Sequence, residues 1–116
     1  MRHRKKGTKL GRKKKPRETM LHNLAASVVI YEKVKTTEAK AKAVKPMLER
    51  MITTAKKGDL TARRRLIAKL TQEKAVKKLM DVLGDKYKER PGGYCRIVKL
   101  GYRAGDGARM VQLELV

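Results

Sequence analysis

YCRIVKLGYRAGDGARMVQLELV, residues 94–116, is the stretch that decides the fold class. From Tyr94 to Leu100 and from Arg109 to Val116 the residues are β-prone and largely alternate, and a glycine-containing loop through Gly101, Gly105 and Gly107 joins them. Two strands are therefore expected. Val111, Leu113 and Leu115 then share one face, turned towards the rest of the chain, with Gln112 and Glu114 on the other. Gly105-Asp106-Gly107 reads as a turn signal rather than a cofactor loop.

Everything between Pro16 and the turn signal at Arg90–Gly93 has helical spacing instead, with one interruption. Leu21, Leu24, Ala25, Val28 and Tyr31 recur at three- and four-residue steps, with Pro16 placed near the helix start, where its missing N–H costs nothing. Val34, Thr36 and Thr37 form a short extended piece. A second helix is expected from an N-cap at Thr37 to about Lys57, with Val44, Met47, Leu48, Met51, Ile52 and Ala55 as its stripe and Gly58 closing it. Pro46 lies inside this pattern, where it removes one backbone hydrogen bond; of a kink or a split, a kink is expected. Asp59 or Thr61 caps a third helix with Leu60, Leu66, Ile67 and Leu70. Thr71 caps a fourth with Ala75, Val76, Leu79, Met80 and Leu83, ending at Gly84. The order predicts an α+β domain over residues 18–116, its helices packed on a small mixed or antiparallel sheet, with Leu48, Ile52, Leu79 and Leu113 in one core.

At 116 residues the chain holds one domain and a tail, and without Phe or Trp its core must be aliphatic. Charge dominates the composition. Lys and Arg number 32 against 11 Asp and Glu, a net +21 that repels itself in the free folded state and calls for a polyanionic partner. Ten of these cations fall within residues 1–17, where there is no carboxylate and only Met1 and Leu10 are apolar. Such a segment cannot bury itself, so residues 1–17 are expected to form a basic, extended arm for RNA. The competing readings of the arm are a solvated tail or a localisation signal.

The arm supplies the first candidate contacts: Arg2, His3, Arg4, Lys5, Lys6, Lys9, Arg12, Lys13, Lys14, Lys15 and Arg17. Lys35, Thr36, Thr37, Lys40 and Lys42 supply a second group, because hydroxyls and unpaired N–H groups at a helix start suit a phosphate; Thr37 is alternatively a cap alone. Arg63 and Arg64, from the run Arg63-Arg64-Arg65, read equally as RNA contacts or as a solvated face. Tyr94, beside Arg96, is either a base-stacking residue or half-buried in a strand. With four tyrosines the only aromatics, stacking platforms for single strands are scarce, which favours folded RNA or duplex.

No nucleophile beside a base, no carboxylate pair and no phosphate-cradling glycine loop is visible, so no enzyme, cofactor or small-molecule substrate is expected. The lone Cys95 with His3 and His22 gives no zinc spacing and no internal disulfide. The longest uncharged run, around Asn23 to Tyr31, is too short to span a membrane, and the N-terminus lacks the apolar region of a secretory signal. A cytosolic location is the default.

Met1-Arg2-His3, Lys35-Thr36-Thr37 leading to Lys40-Ala41-Lys42, Ile52-Thr53 with Ala55-Lys56, Gly92-Gly93-Tyr94 with Arg96-Ile97, Gly105-Asp106 and Glu114-Leu115-Val116 follow one another in an order that resembles a known family. It is the bacterial-type large-subunit ribosomal protein family conventionally numbered seventeen. The resemblance covers the whole length and departs at Lys13-Lys14-Lys15-Pro16, where the family commonly has serine and asparagine, and at Cys95, usually threonine. It implies an α+β fold, no catalysis, and a place on large-subunit ribosomal RNA beside neighbouring ribosomal proteins near the peptide exit tunnel. The location implied is the ribosome, in the cytoplasm, or in the organellar matrix for an organellar homologue.

Overall fold

The computed structural model describes residues 9–116. The candidates Arg2, His3, Arg4, Lys5 and Lys6 lie outside the described residues. Four helical stretches pack on one side of a three-stranded antiparallel sheet, in the order helix, strand, three helices, two strands.

Helix α1 (Lys14–Tyr31) has Pro16 in its first turn, where backbone N–H groups lack intrahelical partners anyway. It buries Leu21, Ala25, Ala26, Val28 and Val29. Tyr31, expected on that stripe, is instead 71% exposed. At 100° per residue it lies about 120° round the helix from Ala25. Glu32 then takes a left-handed conformation (φ 65°), donating its N–H to the Val28 carbonyl at 2.7 Å, and turns the chain into strand β1 (Lys33–Thr37).

Thr37 is the N-cap of α2 (Glu38–Lys56), whose stripe of Val44, Leu48, Met51, Ile52 and Ala55 is buried as expected, while Met47 lies at its margin. Pro46 does not split the helix. It sits on an exposed position, as does Lys42, whose carbonyl loses its usual donor, so water is at hand for that oxygen. After Gly58 (φ 68°), Asp59 starts α3 (Leu60–Lys69) by accepting the Ala62 N–H at 2.7 Å.

Helix α3 departs from expectation. Ala62, Leu66 and Leu70 are buried at four-residue steps, whereas Leu60 (61%) and Ile67 (54%) are exposed. Only one narrow edge of this helix meets the core, and Ile67 lies ~100° round from Leu66. The last helix, α4 (Glu73–Lys78), is capped by Gln72 rather than Thr71. It widens into a π-helical segment, Leu79–Leu83, and closes with a turn at Gly84–Lys86, so Gly84 does not end it. Gly84 serves close packing instead: a Cβ there would lie 3.0 Å from the Ala55 carbonyl oxygen of α2.

Strands β2 (Cys95–Tyr102) and β3 (Arg109–Leu115) form the expected hairpin, and β1 pairs with the other edge of β3, giving the order β1-β3-β2. Val34, Leu113 and Ile97 lie in one cross-strand row, and Leu113 and Val111 face the helices. A bulge between Lys99 and Gly101 adds a residue to β2. Leu48, Ile52, Leu79 and Leu113 are all fully buried in one cluster.

Candidate nucleic-acid interface

The first cationic group is not an extended tail up to Arg17. Lys14, Lys15 and Arg17 belong to the first turn of α1, and Arg17 donates its N–H to the Lys13 carbonyl at 3.0 Å. A turn precedes it: Leu10 and Gly11 have positive φ, Arg12 donates to the Lys9 carbonyl at 3.1 Å, and Leu10 packs against the core. One leucine is enough to tie this end of the segment down, which a count of apolar residues did not reveal. Lys9, Arg12, Lys13, Lys14 and Lys15 remain exposed. No acidic residue occupies the first turn of α1, and Lys13 makes no side-chain cap. Cations thus crowd the positive end of the helix dipole, a repulsion that a polyanion at that end relieves.

The second group is divided between two surfaces. At the start of α2, Glu38 engages Lys42 at 2.9 Å and Arg109 at 3.9 Å. The hydrogen bond from Lys42, with Arg109 and Lys99 nearby, holds the Glu38 carboxyl below the usual range. Glu38 therefore already supplies negative charge to this helix start, and the phosphate site expected at Thr36 and Thr37 is weakened by it. Thr37 makes no side-chain cap hydrogen bond, and Lys40 is half-buried. Lys35 lies on the outer face of the sheet, in a row with Gln112 and Val98, next to the row of Lys33, Glu114 and Arg96. Arg96 bonds Glu114 at 2.7 Å, which leaves Lys33 and Lys35 as the less encumbered cations of that face. Lys33 was not singled out from sequence; its pairing through β3 with Arg96 appears only in the sheet.

The third group stands out from the domain. Arg63, Arg64 and Arg65 are all exposed, and none makes an ion pair among the described residues. Lys69, Lys74 and Lys77 are exposed on the same pair of helices.

Tyr94 is not a base-stacking residue. It is 2% exposed, tilted against Tyr87 with ring centroids 5.2 Å apart. Its backbone N–H donates to Glu49 Oε2 at 3.1 Å, and Lys56 Nζ donates to its hydroxyl at 3.0 Å and to the Arg90 carbonyl at 2.6 Å. The residue closes the core where β2 meets α2. Neighbouring Cys95 is buried, and that burial, with the Glu49 charge adding to it, pushes its thiol up to about 12. The surface thus consists of lysine and arginine groups suited to phosphate oxygens, and among the described residues no cluster could hold a metal.

The family model described as ribosomal protein L17 matches residues 20–116. Relatives named "Large ribosomal subunit protein bL17" occur in Rickettsia typhi and Rickettsia bellii. Each is 49% identical over 116 residues, covering 100% of this chain and 85% and 82% of the relative. The protein of that name in Hyphomonas neptunium is 47% identical over the same 116 residues, with 83% of it covered.

Proposed function

The chain belongs to the ribosomal protein L17 family, and from that premise we propose that it is a structural constituent of the large ribosomal subunit that binds and stabilises folded ribosomal RNA. The family is a non-enzymatic one. The observation that carries the RNA reading is the exposure of cations on three separate surfaces: the start of α1, the outer face of the sheet, and α3 with α4. Three surfaces of one sign suit an RNA that wraps the domain, since every nucleotide offers a phosphate and sequence need not be read. Residues 1–17 act in this account as the basic RNA-binding segment, which runs into the first turn of α1, and residues 18–116 form the rest of the single domain that presents it.

The partners proposed are large-subunit ribosomal RNA and neighbouring ribosomal proteins near the exit tunnel, and the location is the ribosome, cytoplasmic or in an organellar matrix. Among the described residues no helix is long and apolar enough to cross a membrane. A DNA-compacting role is the other class that the charge permits, but among the described residues the loop at the tip of the β2–β3 hairpin, residues 103–108, carries no large apolar side chain to wedge into a duplex. Sedimentation of the tagged full chain at moderate salt separates the two: it should travel with large subunits, and travel with nucleoid DNA instead would overturn the proposal.

A further inference from the structure

Helix α3 exposes a face that is neither a solvated charged face nor a core stripe. Leu60, Arg63, Arg64 and Ile67 stand at i, i+3, i+4 and i+7, hence on one side, and all four are exposed. Between α3 and α4 lies a groove of about 600 Å³. Ile67 forms its apolar wall above the edges of Leu70 and Val76, and Arg63, Lys74 and Lys77 stand along its rim with a single carboxylate, Glu73. Across residues 60–78 there are seven lysines and arginines to that one acid.

We propose that this groove receives an unstacked nucleotide of the RNA, its base against Ile67 and its flanking phosphates on Arg63, Lys74 and Lys77. The inference rests on the RNA-binding role proposed above and gives it a specific place. Phosphate binding alone explains the cations but not an isoleucine more than half exposed among them, because an aliphatic side chain gains nothing from phosphate or ribose hydroxyls. A duplex presents phosphates and sugars and is too broad to enter. An everted base joins an apolar face to two phosphates within one residue of chain, which matches an apolar wall with a cationic rim. The groove lies within the 300–1,000 Å³ range typical of small-molecule sites, a size that accommodates a nucleotide. Aliphatic contact is the means available, since Tyr87 and Tyr94 are buried and neither Tyr31 nor Tyr102 lines this groove. An acidic peptide would have to bring a comparable run of carboxylates, whereas RNA carries one charge per nucleotide.

The test uses the full chain assembled into large subunits, with Ile67→photo-leucine and, separately, Lys35→photo-leucine as the reference on the sheet face. Irradiation should join position 67 to one or two adjacent RNA nucleotides whose bases are unpaired in the subunit. Adducts to a protein segment, or none at 67 while position 35 joins RNA, would overturn the groove assignment and leave the RNA-binding role standing. Absence of RNA adducts at both positions would overturn both. In a competition for subunits, Ile67→Asp should lower retention about tenfold, as a carboxylate replaces an apolar contact beside phosphates. Its urea midpoint should match that of the parent. Unchanged retention would equally overturn the assignment.

Discussion

Leu79 and Ile67 are both aliphatic residues in the basic helical middle of the chain, and truncating each to alanine tests the fold most sharply. Leu79 is fully buried at the start of the π-helical segment, in the cluster that holds Leu48, Ile52 and Leu113. Removing three buried carbon atoms costs ~2.4 kcal/mol in transfer free energy at ~0.8 kcal/mol per methylene. The cavity left behind adds more, and fully buried Leu→Ala changes run to roughly 2–5 kcal/mol. About 3 kcal/mol is the central value for Leu79→Ala, a large share of the ~5–15 kcal/mol that holds a domain of this size. For roughly 100 ordered residues the corresponding fall in Tm is about 12–20 °C. Ile67→Ala, at an exposed site, should stay within about 0.5 kcal/mol of the parent. Urea unfolding of the full chain, followed by far-UV circular dichroism with m-values compared, reads both numbers. Equal midpoints for Leu79→Ala and the parent would refute the placement of Leu79 in the core. A loss of 2 kcal/mol or more in Ile67→Ala would refute the exposed groove wall.

Cys95 should resist iodoacetamide at pH 8 in the folded protein, because burial and the high thiol pKa leave almost no thiolate, and it should react once urea unfolds the chain; labelling of the folded form contradicts this. Cys95→Thr should assemble into subunits normally, as judged by sedimentation. Lys56→Met removes the donor to the Tyr94 hydroxyl and the Arg90 carbonyl and should cost about 1–2 kcal/mol in urea unfolding, whereas Lys57→Met, at an exposed position, should cost little. Glu38 and Glu114 have carboxyls held below their ordinary value by Lys42 and Arg96 respectively. Their contribution is therefore present above the unfolded value of 4.5 and lost as pH falls through the lower folded value. Stability should be flat from about pH 6 to 8 in respect of these groups and decline below about 4.5; Glu38→Gln should flatten that acid limb, and an identical limb would refute the pairing.

Much of the fold is legible because periodicity is strong where burial is deep. The α2 stripe and the Val111–Leu113 alternation each face a continuous core, so spacing and burial agree. Ile67 misled because α3 meets the core along a narrow edge, and Tyr31 because the buried face at the end of α1 runs through Val28 and Val29 and leaves position 31 to one side; pattern alone does not report a helix's contact width or direction. Gly84 reads as a stop signal in isolation, yet its position under the Ala55 carbonyl is a tertiary fact. The candidate contacts divide in the same way. Lysine and arginine density is visible in the sequence, and so is the i,i+4 spacing of Glu38 and Lys42, but Arg109 of β3 reaching Glu38, Leu10 anchoring the turn before α1, and Tyr94 closing the core follow from how distant segments meet.

Binding of the full chain to protein-free large-subunit RNA, measured as a function of salt, tests the central claim most directly. If the chain is held on folded RNA mainly by charge, contact with six or more phosphates should weaken affinity on the order of a thousandfold between about 50 and 200 mM monovalent salt, using duplex DNA as the guide. Neutralising Arg63 and Arg64 together with Arg63→Ala and Arg64→Ala should make the log–log slope shallower by about two. An affinity that changes less than about tenfold over that range, with a slope unaltered by the double variant, would contradict the account.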